Sequence, residues 1–145
     1  MAEEGRSTAC RGIRGAITVE GAGPAAVRDA VNELLVRLVE ANSCRPEDVA
    51  AAIFTVTEDL TGVNPAAAAR DCGWESVPLL TVREHPSDTE VNRCIRILVL
   101  WNTSLAQADV RHVYLGGTSV LRPDLQALSG PRRRSLHPSS KSTGR

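Results

Sequence analysis

The feature that most constrains this chain is Cys94-Ile95-Arg96-Ile97-Leu98-Val99-Leu100-Trp101-Asn102-Thr103, its most apolar run. The run reads as a buried β-strand. Strand side chains alternate with period two, so Arg96 shares a face with Leu98 and Leu100. A guanidinium does not lose its charge in a protein. Within an apolar row it needs an anionic partner. Two readings follow: a structural salt bridge to a nearby carboxylate, or a cation aimed into a ligand pocket.

The neighbouring segments show what such a strand can join. Residues 1–10 are polar and read as a flexible extension. Arg11 to Glu20 alternates, with Ile13, Ile17 and Val19 on one face and Arg14, Ala16 and Thr18 on the other. Gly12 and Gly15 allow another backbone or a ligand to come close. Gly21-Ala22-Gly23-Pro24 ends this strand and opens a helix with proline in its first turn. From Pro24 to about Ala41, Val27, Val31, Leu34, Leu35 and Leu38 recur at helical spacing. Ala50 to Val56 is a second strand. Asn64-Pro65 caps a short helix that runs to about Cys72 and stops at Gly73. Val77 to Glu84 is a third strand, with Leu80, Val82 and Glu84 on one face.

After the Arg96 strand, Arg111 to Leu115 is a fifth, with Tyr114 near its end. Gly116-Gly117 is a turn, Ser119 to Arg122 a short extended piece, and 129–145 a disordered basic tail. The order β-α-β-α-β-β-β predicts an α+β domain over 11–128. It is a five-stranded mixed sheet with one long and one short helix on one face. A single helix layer leaves the other sheet face uncovered, and self-association is the simplest cover.

Composition narrows the function. Residues 131–145 hold five cations and no acids, so the other 130 residues carry 12 cations against 17 acids, a net of −5. With aromatics at 3%, such a body is no nucleic-acid module. No run reaches membrane-spanning length, and the acidic start is no targeting segment. Cys10, Cys44, Cys72 and Cys94 form no CxxC pair and read as reduced thiols of a cytoplasmic protein. His85, His112 and His137 lack metal-ligand spacing, and no GxGxxG, P-loop or GxSxG pattern occurs. Neither a metal nor a cofactor is expected. What remains is a set of arginines at strand ends (Arg14, Arg96, Arg122), Arg70 on the short helix, Glu84 and Tyr114. Several fixed cations, one carboxylate and one phenol suit a small dicarboxylate that also bears a hydroxyl.

Three stretches carry a closer resemblance. They are Arg11-Gly12-Ile13-Arg14-Gly15-Ala16-Ile17-Thr18-Val19-Glu20, then Cys94-Ile95-Arg96 with its apolar run, then Val110-Arg111-His112-Val113-Tyr114-Leu115 followed by Val120-Leu121-Arg122-Pro123-Asp124-Leu125. In order and interval they resemble the AroH-type (Bacillus-type) chorismate mutases over roughly residues 11–125. The resemblance implies a homotrimer whose sheets form a pseudo-barrel core, with active sites between subunits. It implies the Claisen rearrangement of chorismate to prephenate, without covalent intermediate, proton transfer, metal or cofactor. It places Arg96 beside the ether oxygen, and Arg14 and Tyr114 on the side-chain carboxylate. Glu84 would take the ring hydroxyl at the end of the pocket away from Arg96. Arg70 and Arg122 would stand at the entrance, and Thr81 and Leu121 join the implied binding set. Asn64 and Ala67 stand where the family often has phenylalanine and a polar residue. The alternative is a trimeric small-carboxylate-binding or imine-deaminase-like regulatory protein, which does not require Glu84 together with Arg96 and Arg14.

Overall fold

The computed structural model describes residues 7–87, 91–118 and 121. Five strands form one sheet: β1 (Ala9–Thr18), β2 (Val49–Val56), β3 (Leu79–Arg83), β4 (Cys94–Thr103) and β5 (Val113–Tyr114). Two α-helices accompany them, α1 (Gly23–Asn42) and α2 (Pro65–Asp71). The spatial order is β3-β2-β4-β1-β5. The apolar run β4 is central, antiparallel to both β1 and β2. The outer strands are parallel to their neighbours, β3 to β2 and β5 to β1.

Register decides what each face carries. Gly15 and Phe54 both lie opposite Ile97, and Ala52 lies opposite Val99. These residues form the inner face. Against it α1 lays Val27, Val31, Leu34, Leu35 and Leu38, all buried in one cluster with Ile13, Ile17, Phe54, Ile95 and Val99. Gly15 is needed for that approach. A Cβ there would meet Ile97 Cγ2 at 3.0 Å and Leu34 Cδ1 at 3.2 Å.

On the outer face Arg96 lies opposite both Ala16 and Thr55, and Arg14 opposite Leu98. This face is only partly covered: Leu80, Val82 and Leu98 are 57%, 39% and 37% exposed. Large apolar side chains left in a row beside charged ones form an exposed patch of the kind found at interaction sites and ligand grooves.

Local chemistry explains the helix ends. Asn64 caps α2, its Oδ1 accepting the Ala67 N–H at 3.1 Å. Ser43 closes α1 in the left-handed conformation at φ 53°. No described helix is long and apolar enough to cross a membrane.

Three expectations need adjustment. β1 starts at Ala9, inside the stretch read as an extension, because Ala9 and Cys10 pair with Thr103 and Asn102 at the end of the long β4. β3 is trimmed to Leu79–Arg83. β5 is trimmed to two residues, because the backbone before it is held by side chains instead of a ladder. Most of the Ser119–Arg122 piece and the basic tail lie outside the described residues.

Leu34 is wholly buried between helix and sheet. Leu34→Ala is expected to cost about 2–5 kcal/mol in urea unfolding at fixed protein concentration, with the slope unchanged.

Candidate active site

The outer face gathers most of the charged candidates. A concavity of about 220 Å³ is lined by Arg14 from β1, Ile53 and Thr55 from β2, Glu84 just after β3, Arg96 and Leu98 from β4, and Tyr114 from β5. Even spacing within each strand and the cross-strand register put these side chains on one surface. Glu84 stays in line beyond the end of β3 because its N–H donates to Val56 C=O at 2.8 Å.

Arg96 and Glu84 form an ion pair, Nε to Oε1 at 3.4 Å, the carboxylate being the more buried partner. Distance and direction disagree here. The contact is close enough for Coulomb attraction, yet Arg96 Nε–H is buried and makes no aligned hydrogen bond among the described residues. We read the pair as electrostatic neighbours, with one guanidinium donor left to be satisfied. The other Glu84 oxygen, Oε2, accepts the Thr55 hydroxyl in a very short hydrogen bond. Glu84 is therefore anchored from β2 and neutralises part of the Arg96 charge.

That geometry corrects the expectation that Glu84 sits at the far end of the pocket from Arg96. β2 lies between β3 and β4, with Thr55 in register with Arg96. Two long side chains reach each other across the short Thr55.

The remaining candidates are distributed differently. Thr81 is opposite Phe54, so its side chain turns to the helix-covered face. Its hydroxyl is buried there without a hydrogen-bond partner among the described residues. Arg70 is exposed in the last turn of α2 and does not line this concavity. Leu121 is half-buried, its N–H donating to Thr118 C=O at 3.0 Å, and it also lies off the concavity. Arg122 is outside the described residues.

Sequence reasoning missed Thr55, Ile53 and Leu98 as parts of the site. The alternation of β2 was visible, but only the β2–β4 pairing reveals that Thr55 abuts Arg96. Two larger hollows lie elsewhere. One of about 520 Å³ is lined by Glu20, Asp29 and Glu33, a charge that repels anions. One of about 290 Å³ lies between α1 and β5. The second also holds two arginines, Arg37 and Arg111, but no carboxylate. Of the three hollows, the outer-face concavity is the one that joins two arginines to a carboxylate and a phenol.

Residues 10–125 match the family model described as chorismate mutase type I. Chorismate mutase AroH of Thermus thermophilus is 54% identical over 118 residues, 81% of this chain and 97% of that protein. Chorismate mutase AroH of Bacillus subtilis (strain 168) is 40% identical over 116 residues, 79% of this chain and 91% of that one. A solved chorismate mutase from Clostridium thermocellum superposes with a TM-score of 0.72 at 37% identity, covering 75% of this chain and 97% of that one.

The thiols give a direct check on these surroundings. Cys94 opens β4 on the Arg96 face, and burial pushes it up to about 11, Arg96 lowering and Glu84 raising it. Burial, with nearby Asp48, lifts Cys44 to about 11 as well. At pH 8 roughly one in a thousand of either thiol is thiolate. A disulfide reagent at that pH is expected to modify the exposed Cys10 rapidly. Cys44 and Cys94 are expected to react only on unfolding, as counted by released chromophore.

Proposed function

The chain belongs to the type I chorismate mutases, isomerases that convert chorismate to prephenate in aromatic amino acid biosynthesis, and we propose that Arg14, Glu84, Arg96 and Tyr114 carry the reaction at an interface between chains of a homotrimer. The rearrangement is intramolecular. The ether C–O bond breaks while a C–C bond forms, so every atom stays in the molecule and no group leaves. An enzyme can assist by holding the folded substrate shape and by stabilising charge that develops on the ether oxygen.

One observation carries the assignment of Arg96. Its Nε–H is buried and unpaired among the described residues, its side chain lines the concavity, and the Glu84 carboxylate lies 3.4 Å from that nitrogen. A donor so placed, already desolvated and fixed, stabilises an oxygen that becomes anionic more than one that is merely polar. Arg14 and Tyr114 lie on the opposite flank, where Tyr114 is in register with Ala16, two residues along β1. A cation and a phenol hydroxyl there suit the side-chain carboxylate. Glu84, which lines the concavity, accepts from the substrate's ring hydroxyl near Arg96, with Thr55 holding one carboxylate oxygen in place.

Two features support an interfacial site. At about 220 Å³ the concavity is smaller than the ~300 Å³ at which small-molecule sites usually begin, so one chain supplies only part of a wall. Its charge is also insufficient, since two arginines less one carboxylate leave a single net cation for a dianion. Arg70, exposed on the helix side, adds a cation to a neighbouring chain's site in this reading. The half-open outer face with Leu80, Val82 and Leu98 becomes buried as three sheets meet in a pseudo-barrel core. Thr81, Leu121 and Arg122 remain assigned to the substrate-binding set, Arg122 at the entrance. Four free cysteines accord with a cytoplasmic enzyme.

The reading is tested by following the loss of chorismate absorbance. The wild-type chain is expected to turn over, and Arg96→Lys to lose roughly 10²–10³ in kcat, because a point charge replaces a fixed fork. Light scattering is expected to give a mass of three chains. No turnover at millimolar chorismate, or a monomer with full activity, overturns the assignment.

A further inference from the structure

β1 has two edges, and they are satisfied in different ways. β4 pairs with one edge along all ten residues. β5 pairs with the other only at Gly15 and Ala16. Beyond that short ladder the backbone groups on this edge are met by side chains. Gln107 accepts the Gly12 N–H at 2.9 Å through Oε1 and donates to Gly12 C=O at 2.7 Å through Nε2. Its amide thus acts as a substitute peptide unit. Two residues along, His112 Nδ1 accepts the Arg14 N–H at 2.9 Å. Two residues further, Ala16 C=O accepts from Leu115 N–H at 2.9 Å and the backbone ladder takes over.

The histidine is itself held from behind. The buried Asn42, last residue of α1, donates to Arg111 C=O at 2.8 Å and accepts the Arg111 N–H at 2.8 Å. A second donation, to Leu38 C=O at 3.0 Å, ties that amide into the helix. A continuous path therefore runs from α1 through the Arg111 backbone and the His112 ring to the Arg14 amide. Tyr114 stands two residues beyond His112 on the same segment.

We propose that His112 is a positioning residue for substrate binding, its Nδ1 replacing a missing ladder carbonyl and fixing Arg14 relative to Tyr114. The proposal rests on the reading that Arg14 and Tyr114 bind the substrate's side-chain carboxylate. An accepting Nδ1 carries no proton, so the neutral ring bears its hydrogen on Nε2. An aliphatic side chain at this position leaves the Arg14 N–H without that acceptor, and β1 shifts relative to the 105–114 segment. The carboxylate-binding pair then loses its spacing, while Arg96 on β4 and Glu84 just beyond β3 keep theirs to each other.

The test uses the full-length chain and three variants. His112→Leu is expected to raise KM for chorismate about three- to tenfold, the value of one hydrogen bond, with kcat changed less than about twofold. A role limited to folding would instead lower the active fraction, and hence kcat, at constant KM. His112→Asn, whose Oδ1 occupies the place of Nδ1, is expected to restore KM. Nitrogen-15 spectra of the wild-type ring are expected to show an unprotonated Nδ1, a readout that survives if the leucine variant does not fold. Arg14→Gln separates the two levels of inference. If it raises KM strongly and His112→Leu does not, the positioning role is overturned and the Arg14 reading stands. If neither raises KM, both fail. Equal KM for the leucine and asparagine variants, or a proton on Nδ1, also overturns the proposal.

Discussion

A guanidinium fixed beside a carboxylate on the open face of a sheet is the interaction on which this molecule depends. Arg96 cannot discharge itself, and taking it partly out of water is costly without a partner. Glu84 supplies the partner at 3.4 Å, and Thr55 holds Glu84 in place. The pairing is incomplete, because the Arg96 Nε–H remains buried without an aligned acceptor among the described residues. Full satisfaction would make a stable salt bridge with little left for a ligand. Partial satisfaction leaves an oriented, desolvated donor, and the rest of the fold keeps it in position.

The two-layer architecture follows from that requirement. α1 covers one face of the sheet with an aliphatic cluster, so the strands beneath form a rigid platform. Gly15 lets the helix close onto β1, while Ala16 beside Arg96 takes little room on the other face. Five neighbouring segments then deliver one or two functional side chains each, all from the same face. A reaction that asks only for shape and charge stabilisation is well matched by such a surface. The chemistry belongs to the substrate, and the protein contributes preorganised donors.

Much of this was legible from residues alone, for identifiable reasons. The Cys94–Thr103 strand was bounded by its own apolar run, and α1 by its stripe of Val27, Val31, Leu34, Leu35 and Leu38. Asn64-Pro65 announced α2, and the Asn64 side chain does cap it. These are local signals. Period-two alternation also placed Arg14 and Arg96 on their respective strand faces correctly. It could not say which strands are neighbours or which faces coincide. Hence Thr55 went unnoticed, Glu84 was placed too far from Arg96, and Thr81 was grouped with residues from whose face it turns away. Arg70 and Leu121 lie off the concavity, because a sequence motif carries no information about where its residues come to rest in space. The brevity of β5 had the same origin: His112 and Gln107 looked like ordinary polar residues until the β1 edge they complete was in view.

The central claim is that the charge on Arg96, more than its shape, lowers the barrier. Citrulline introduced at position 96 keeps the planar side chain and an Nε–H while removing the positive charge. Single-turnover rates, with substrate affinity measured separately, address it most directly. A fall in the rate of the chemical step by at least roughly 10³, with chorismate affinity changed only a few-fold, is the expected result. A rate within tenfold of the arginine enzyme would contradict the claim and leave Arg96 as a structural partner of Glu84.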